Sequence, residues 1–133
     1  AVTAQKGGKI SEDVVVPGEK LAEAIEETVR IGERHGLEAC SWGHAGDGTL
    51  HSTFLVDLNN SDEMTRGANA AAEIFEMAIR LGGSISGEHG IGSLKTSYVT
   101  KALGETSIRL QADIKKVFDP KLLLNPGKKI LLP

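Results

Sequence analysis

The sequence has a single cysteine, Cys40, and only 4% aromatic residues, among them one tryptophan. One cysteine excludes an intrachain disulfide framework and fits a reducing, cytoplasmic setting. Cys40 sits in "LEACSW", which reads as a strand, so it is expected to act as a buried small hydrophobe. A basic excess is also missing: 15 lysines and arginines stand against 18 aspartates and glutamates, for a net charge of −3. This argues against a nucleic acid or an anionic membrane surface as partner. The pairs Lys115-Lys116 and Lys128-Lys129 are too small for a polybasic patch and read as solvated surface charge. No run approaches the roughly 18 apolar residues of a membrane span, and no signal-peptide pattern opens the chain. The first residue is Ala1 rather than Met, and "AVTAQKGGKI" reads as a loop. The 133 residues are therefore expected to be a piece of a longer protein, enough for one domain with a core.

What is present falls into an ordered series of elements. Residues 9–16 end in a β-branched run and predict a strand. Pro17 suits the first turn of a helix over 18–35, in which Leu21, Ala24, Ile25, Val29 and Ile31 recur at roughly helical spacing. Gly36 is the expected C-terminal cap, and His35 is given a structural role in the last turn. Strands follow at 37–43 and 50–57, joined by the "AGDG" turn. Residues 59–62 read as a turn and N-cap. A long helix is predicted over 62–81, with Met64, Ala68, Ala71, Ala72, Phe75, Ala78 and Ile79 on one face. Gly82-Gly83 ends it, and a short strand is expected at 84–87. Helices near 92–102 and 105–117 and an irregular tail complete the chain. The order β-α-β-β-α-β plus extra helices predicts an α+β fold: a ferredoxin-like, split βαβ antiparallel sheet with helices on one face and additional C-terminal helices.

Two glycine-rich segments carry the chemistry-bearing residues. In "GHAGDGTLH", 43–51, a hairpin would let His44 and His51 converge although they are seven residues apart. In "SGEHGIG", 86–92, Glu88 and His89 are adjacent among glycines. If the segments meet, two imidazoles and a carboxylate form a usual set for a divalent transition metal. The spacing itself is no established ligand signature, so a metal centre, a metal-free acid–base pair and purely structural loops all stay open. Asp47 either orients an imidazole or stabilises its own turn.

Three strings in this order, "GHAGDGTLH", "SGEHGIGSLK" and "FDPKLLLNPGK" (118–128), strongly resemble the C-terminal substrate domain of FAD-linked oxidases, the group of the glycolate oxidase flavoprotein subunit and D-lactate dehydrogenase. "SEDVVVP" looks like that group too, and the resemblance spans about residues 9–130. It implies that residues 1–133 are the C-terminal part of the substrate (cap) domain, with the FAD-binding domain absent from the chain. His44, His51 and Glu88 match the family's metal ligands, implying zinc, iron(II) or manganese. His89 matches its proton acceptor. Asn125, Gly127 and Lys128, with Pro126, match the tail motif that passes back toward the FAD domain. Leu122, Leu123 and Leu124 in that tail are alternatively an ending partly buried against the core. Lys95 is read as a structural or substrate-side charge. Thr49 stands where the family often has Asn. Thr53 replaces the Asn of the 2-hydroxyglutarate branch, which argues against that substrate.

The implied reaction oxidises a D-2-hydroxy acid, of glycolate or D-lactate type, to a 2-oxo acid, with FAD as the redox cofactor. The fragment alone is expected to be inactive. The implied setting is cytoplasmic, peripheral to a membrane only through an electron-accepting partner, and compatible with a homo-oligomer. Two rivals belong to other classes: a non-catalytic binding or assembly module that kept the fold, and a metal-dependent hydrolase.

Overall fold

The computed structural model of the chain describes residues 6–129. Its elements are β1 (Gly8–Val15), a 3-10 turn (Gly18–Lys20), α1 (Leu21–Arg34), β2 (Ala39–His44), β3 (Thr49–Val56), α2 (Ser61–Arg80), α3 (Thr96–Leu103) and α4 (Glu105–Phe118). The three strands form an antiparallel sheet in the order β1-β3-β2. This is the α+β, split βαβ arrangement expected from the sequence. The opening loop expected for residues 1–10 falls partly on residues 1–5, outside the described residues; from Gly8 onward the chain is strand. The fourth strand, expected at 84–87, is reduced to one antiparallel bridge between Val15 and Ser84. Its two backbone bonds are Val15 N–H to Ser84 O at 2.9 Å and Ser84 N–H to Val15 O at 2.8 Å.

The chain divides into two compact units, Ala1–Gly87 and Glu88–Pro133. In the first, period-2 alternation sorts each strand into two faces. Val14, Leu50, Phe54 and Val56 face the helices and make the core with Ala24, Ile31, Ile74 and Phe75, with half-buried Ile10 on the same face. Burying each large side chain contributes about 1.5–3 kcal/mol. Polar groups on this face are paired: the Thr28 hydroxyl donates to Ala24 O at 2.9 Å and shares a 3.0 Å bond with Ser52 Oγ. The buried face of α2 is Gly67, Ala70, Ala71, Ile74, Phe75, Met77 and Ala78. It is rotated from the face expected: Ala68 is exposed, because Gly67 takes the close position against Ile10 Cδ1. Asn60 caps α2 by accepting from the amides of Asp62 (3.0 Å) and Glu63 (3.2 Å).

The end of α1 is tied to α2 by charge. Glu73 accepts from Arg34 Nη2 and His35 Nε2, each at 2.6 Å. The Arg34 guanidinium, with His35 adding to it, holds the Glu73 carboxyl below the usual carboxylate range. Arg66 Nη1 donates to the carbonyls of His35 (2.6 Å) and Gly36 (3.0 Å), which the helix end leaves without an intrahelical partner. His35 is thus structural, as expected, and the carboxylate of Glu73 specifies how.

The second unit is built on α3 and α4. Val99 and Ala112 are buried, whereas Leu110, Ile114, Val117 and Phe118 are each half exposed or more. The first helix here starts at Thr96 rather than 92; residues before it form a turn. Asp119 ends α4 by accepting from Lys115 Nζ (2.8 Å) and from the amides of Leu123 (2.9 Å) and Leu124 (3.0 Å). The Lys115 ammonium, then those amides, hold its carboxyl below the usual range. Of the three leucines given a partly buried alternative, Leu123 and Leu124 are exposed: the tail turns about Asp119 and presents them outward. Among the described residues, no helix is long and apolar enough to cross a membrane.

Candidate metal and proton-transfer site

His44 ends β2 and pairs with Thr49 at the start of β3. Thr49 and His51 are two apart on one strand and so share a face. His44 and His51 are therefore diagonal neighbours across the hairpin, which explains how seven residues of sequence become a side-chain pair. Their ring centroids are 6.0 Å apart with planes at 82°, edge to face. The face is the one turned away from α1 and α2, since the alternate residues Leu50, Ser52 and Phe54 point to those helices. His51 is buried and His44 is exposed.

The turn between them is held by polar bonds. The amides of Asp47 (3.2 Å) and Gly48 (3.1 Å) donate to His44 O. Asp47 Oδ1 accepts from the Thr49 amide at 2.9 Å. That amide, then the Thr49 hydroxyl, hold the Asp47 carboxyl below its ordinary value. Of the two roles open to Asp47, the hydrogen bond shown is the turn-stabilising one. Thr49 itself is buried. The Thr53 hydroxyl is engaged with Ser11 Oγ at 2.7 Å in a fully buried position.

Two further residues share this face. Trp42 lies directly opposite His51 on β2, is 47% exposed, and has Lys9 Nζ 4.8 Å from its ring centroid. Cys40, expected to be buried, is exposed: β2 is an edge strand and Cys40 points to the face turned away from α1 and α2.

Glu88 follows Gly87, whose amide donates to Asp13 Oδ2 at 2.7 Å. His44 and His51 each offer a ring nitrogen on this face of the first unit, and Glu88, the residue after Gly87, opens the second unit with a carboxylate. Two imidazole nitrogens and a carboxylate oxygen are a donor set that fits a borderline divalent ion. His89 is exposed, with Nε2 3.6 Å from Glu88 Oε1. Lys95, in the second unit, is buried. Asn125 and Lys128 line a groove of about 530 Å³ with Ile114, Lys115 and Leu124, and the Lys128 amide donates to Asn125 O at 3.3 Å. Gly127 has φ +68° and does not line that groove. Asp13, 1% exposed, was not singled out by residue type or spacing. Its signal in the sequence was an acid set inside the strand-forming run "SEDVVV".

Residues 1–129 match the family "FAD linked oxidases, C-terminal domain". The chain is 43% identical over 128 residues to the glycolate oxidase subunit GlcD of Bacillus subtilis (strain 168), covering 96% of this chain and 27% of that protein. It is 40% identical over 117 residues to a D-lactate dehydrogenase of Anaerostipes hadrus, covering 87% and 25%. The chain thus spans about a quarter of the length of these relatives. A p-cresol methylhydroxylase crystal structure with substrate bound shares the fold, with TM-score 0.71 at 18% identity over 92% of this chain and 24% of that one. With strand order, hairpin histidines and whole-chain match in agreement, the chain belongs to the FAD-linked oxidase C-terminal domain family, of the glycolate oxidase and D-lactate dehydrogenase type.

Proposed function

We propose that this chain is the last part of the substrate-side domain of a longer flavoprotein that oxidises a D-2-hydroxy acid, of glycolate or D-lactate type, to the 2-oxo acid. The observation that supports it most is the β2–β3 hairpin, which aims His44 and His51 at one another on the face of the sheet turned away from α1 and α2. The names of the relatives support the substrate class. In this reading His44, His51 and Glu88 hold a divalent ion, zinc, iron(II) or manganese. Asn125, Gly127 and Lys128 face the FAD-binding domain.

When bound, FAD would supply a hydride acceptor, and a divalent ion held by His44, His51 and Glu88 would supply a Lewis acid that lowers the pKa of a bound hydroxyl. The chain's own residues do the rest. His89 takes the hydroxyl proton, the usual work of an imidazole near neutral pH. The buried His51 gives the site a fixed side, while exposed His44 and His89 leave it open to a small acid. Without flavin the isolated chain does not turn over.

Elemental analysis tests the metal assignment. Wild type is expected to retain a stoichiometric ion after loading and desalting. His44→Ala and His51→Ala should each lower the occupancy at least about tenfold, since each removes one ligand. An unchanged metal-to-protein ratio refutes the ligand set. In the full-length protein that contains this chain, His89→Ala should slow flavin reduction by roughly 10²–10⁴-fold with the metal content unchanged.

A further inference from the structure

We propose that Asp13 is a positioning residue that pins the Ser86–Gly87 segment and thereby sets where Glu88 leaves the sheet; the inference rests on the reading of Glu88 as a metal ligand. Asp13 lies inside β1 and is 1% exposed. Its Oδ2 accepts from the Gly87 amide at 2.7 Å and from Ser86 Oγ at 3.2 Å. A carboxylate withdrawn from water is costly unless donors replace the water, and the Gly87 amide and Ser86 hydroxyl are two such donors on Oδ2. Strand register places Asp13 directly opposite His51. One cross-strand pair therefore carries both a proposed ligand and the anchor of the segment that delivers the next one.

The same contact explains why residues 84–87 make no strand. Backbone pairing with β1 reaches Ser84 and stops at the single bridge to Val15. Three residues later the backbone amide of Gly87 is taken by a side-chain carboxylate instead of a strand carbonyl. The chain is thus held at Ser84 by the ladder and at Gly87 by Asp13, and Glu88 follows one peptide unit on, about 3.8 Å between Cα atoms. The mechanism uses His44, His51, Glu88 and His89; Asp13 acts through Glu88.

The test compares wild type, Asp13→Ala, Asp13→Asn and Ser86→Ala in two measurements: amide hydrogen exchange at Gly87 without metal, and Zn²⁺ titration. Because both bonds end on one oxygen, Asn keeps an acceptor there and Ala does not. Asp13→Ala is expected to speed exchange at Gly87 and weaken Zn²⁺ binding, each by about tenfold or more, the scale of a lost bond to a charged group. Asp13→Asn should stay within about threefold of wild type in both, a rescue that mere loss of packing would not produce. Ser86→Ala, which removes only the longer bond, should shift both by about two- to fivefold, and it decides the matter if Asp13→Ala does not fold. Unchanged exchange at Gly87 in Asp13→Ala, or faster exchange with unchanged Zn²⁺ affinity, overturns the proposal; so does an unaltered Ser86→Ala where Asp13→Ala is unfolded. A wild-type chain that binds no Zn²⁺ overturns the metal centre and, with it, this role toward Glu88, while the metal-free exchange data still report whether Asp13 anchors Gly87.

Discussion

The two glycine-rich segments differ in how they are held. The hairpin turn, 45–48, lies between paired strands and is packed from outside: a Cβ on Gly48 would stand 2.0 Å from Val16 O. The segment from Gly87 onward is held by a side-chain acid, and a Cβ on Gly90 would meet nothing within 4 Å. Yet Gly48 and Gly90 have nearly equal backbone angles, φ +78° and +77°. The hairpin glycine is demanded by both torsion and space, the later one by torsion alone. Precision in the first loop comes from packing, and in the second from polar anchoring.

Substitutions can break this contrast. Gly48→Ala adds a backbone clash to the unfavourable torsion and is expected to cost about 3 kcal/mol or more, read as a lower denaturation midpoint. Gly90→Ala carries only the torsional cost, about 1–2 kcal/mol in the same measurement. Equal losses at the two positions would erase the distinction. The smallest effect belongs to Asp47. Its carboxyl is held below its ordinary value, so its contribution is present above the unfolded value of about 3.9 and is lost as pH falls through the lower folded value. Asp47→Asn should therefore flatten the acid limb of the melting temperature against pH below about pH 4, leaving the neutral region little changed.

Much of the scaffold was legible from residue order. Strands and helices carry their own periods, and Gly36, Asn60 and Pro17 mark ends by local chemistry, so β1 to β3, α1, α2 and α4 fall close to the expected bounds. The pairing of His44 with His51 was legible too, because a hairpin converts spacing into register. Contacts distant in sequence were not. The segment expected as a fourth strand keeps one bridge to β1 and is met by Asp13, 74 positions away from Gly87. The rotation of α2 depends on Gly67 meeting Ile10, and the role of His35 on Glu73. Cys40 was misplaced because alternation shows that a strand has two faces without showing which one the helices cover. The assignments of His89 and of Asn125, Gly127 and Lys128 came from family resemblance, since their local geometry carries no chemistry of its own.

Trp42 has an optical consequence. It is the only indole in the chain, so tryptophan emission originates at one strand position, across from His51 and beneath the ammonium of Lys9. A paramagnetic ion seated on the histidines would quench that light, and loss of the hairpin would shift its colour toward that of indole in water. The protein thus carries a built-in fluorophore beside the two imidazoles, with no label to attach.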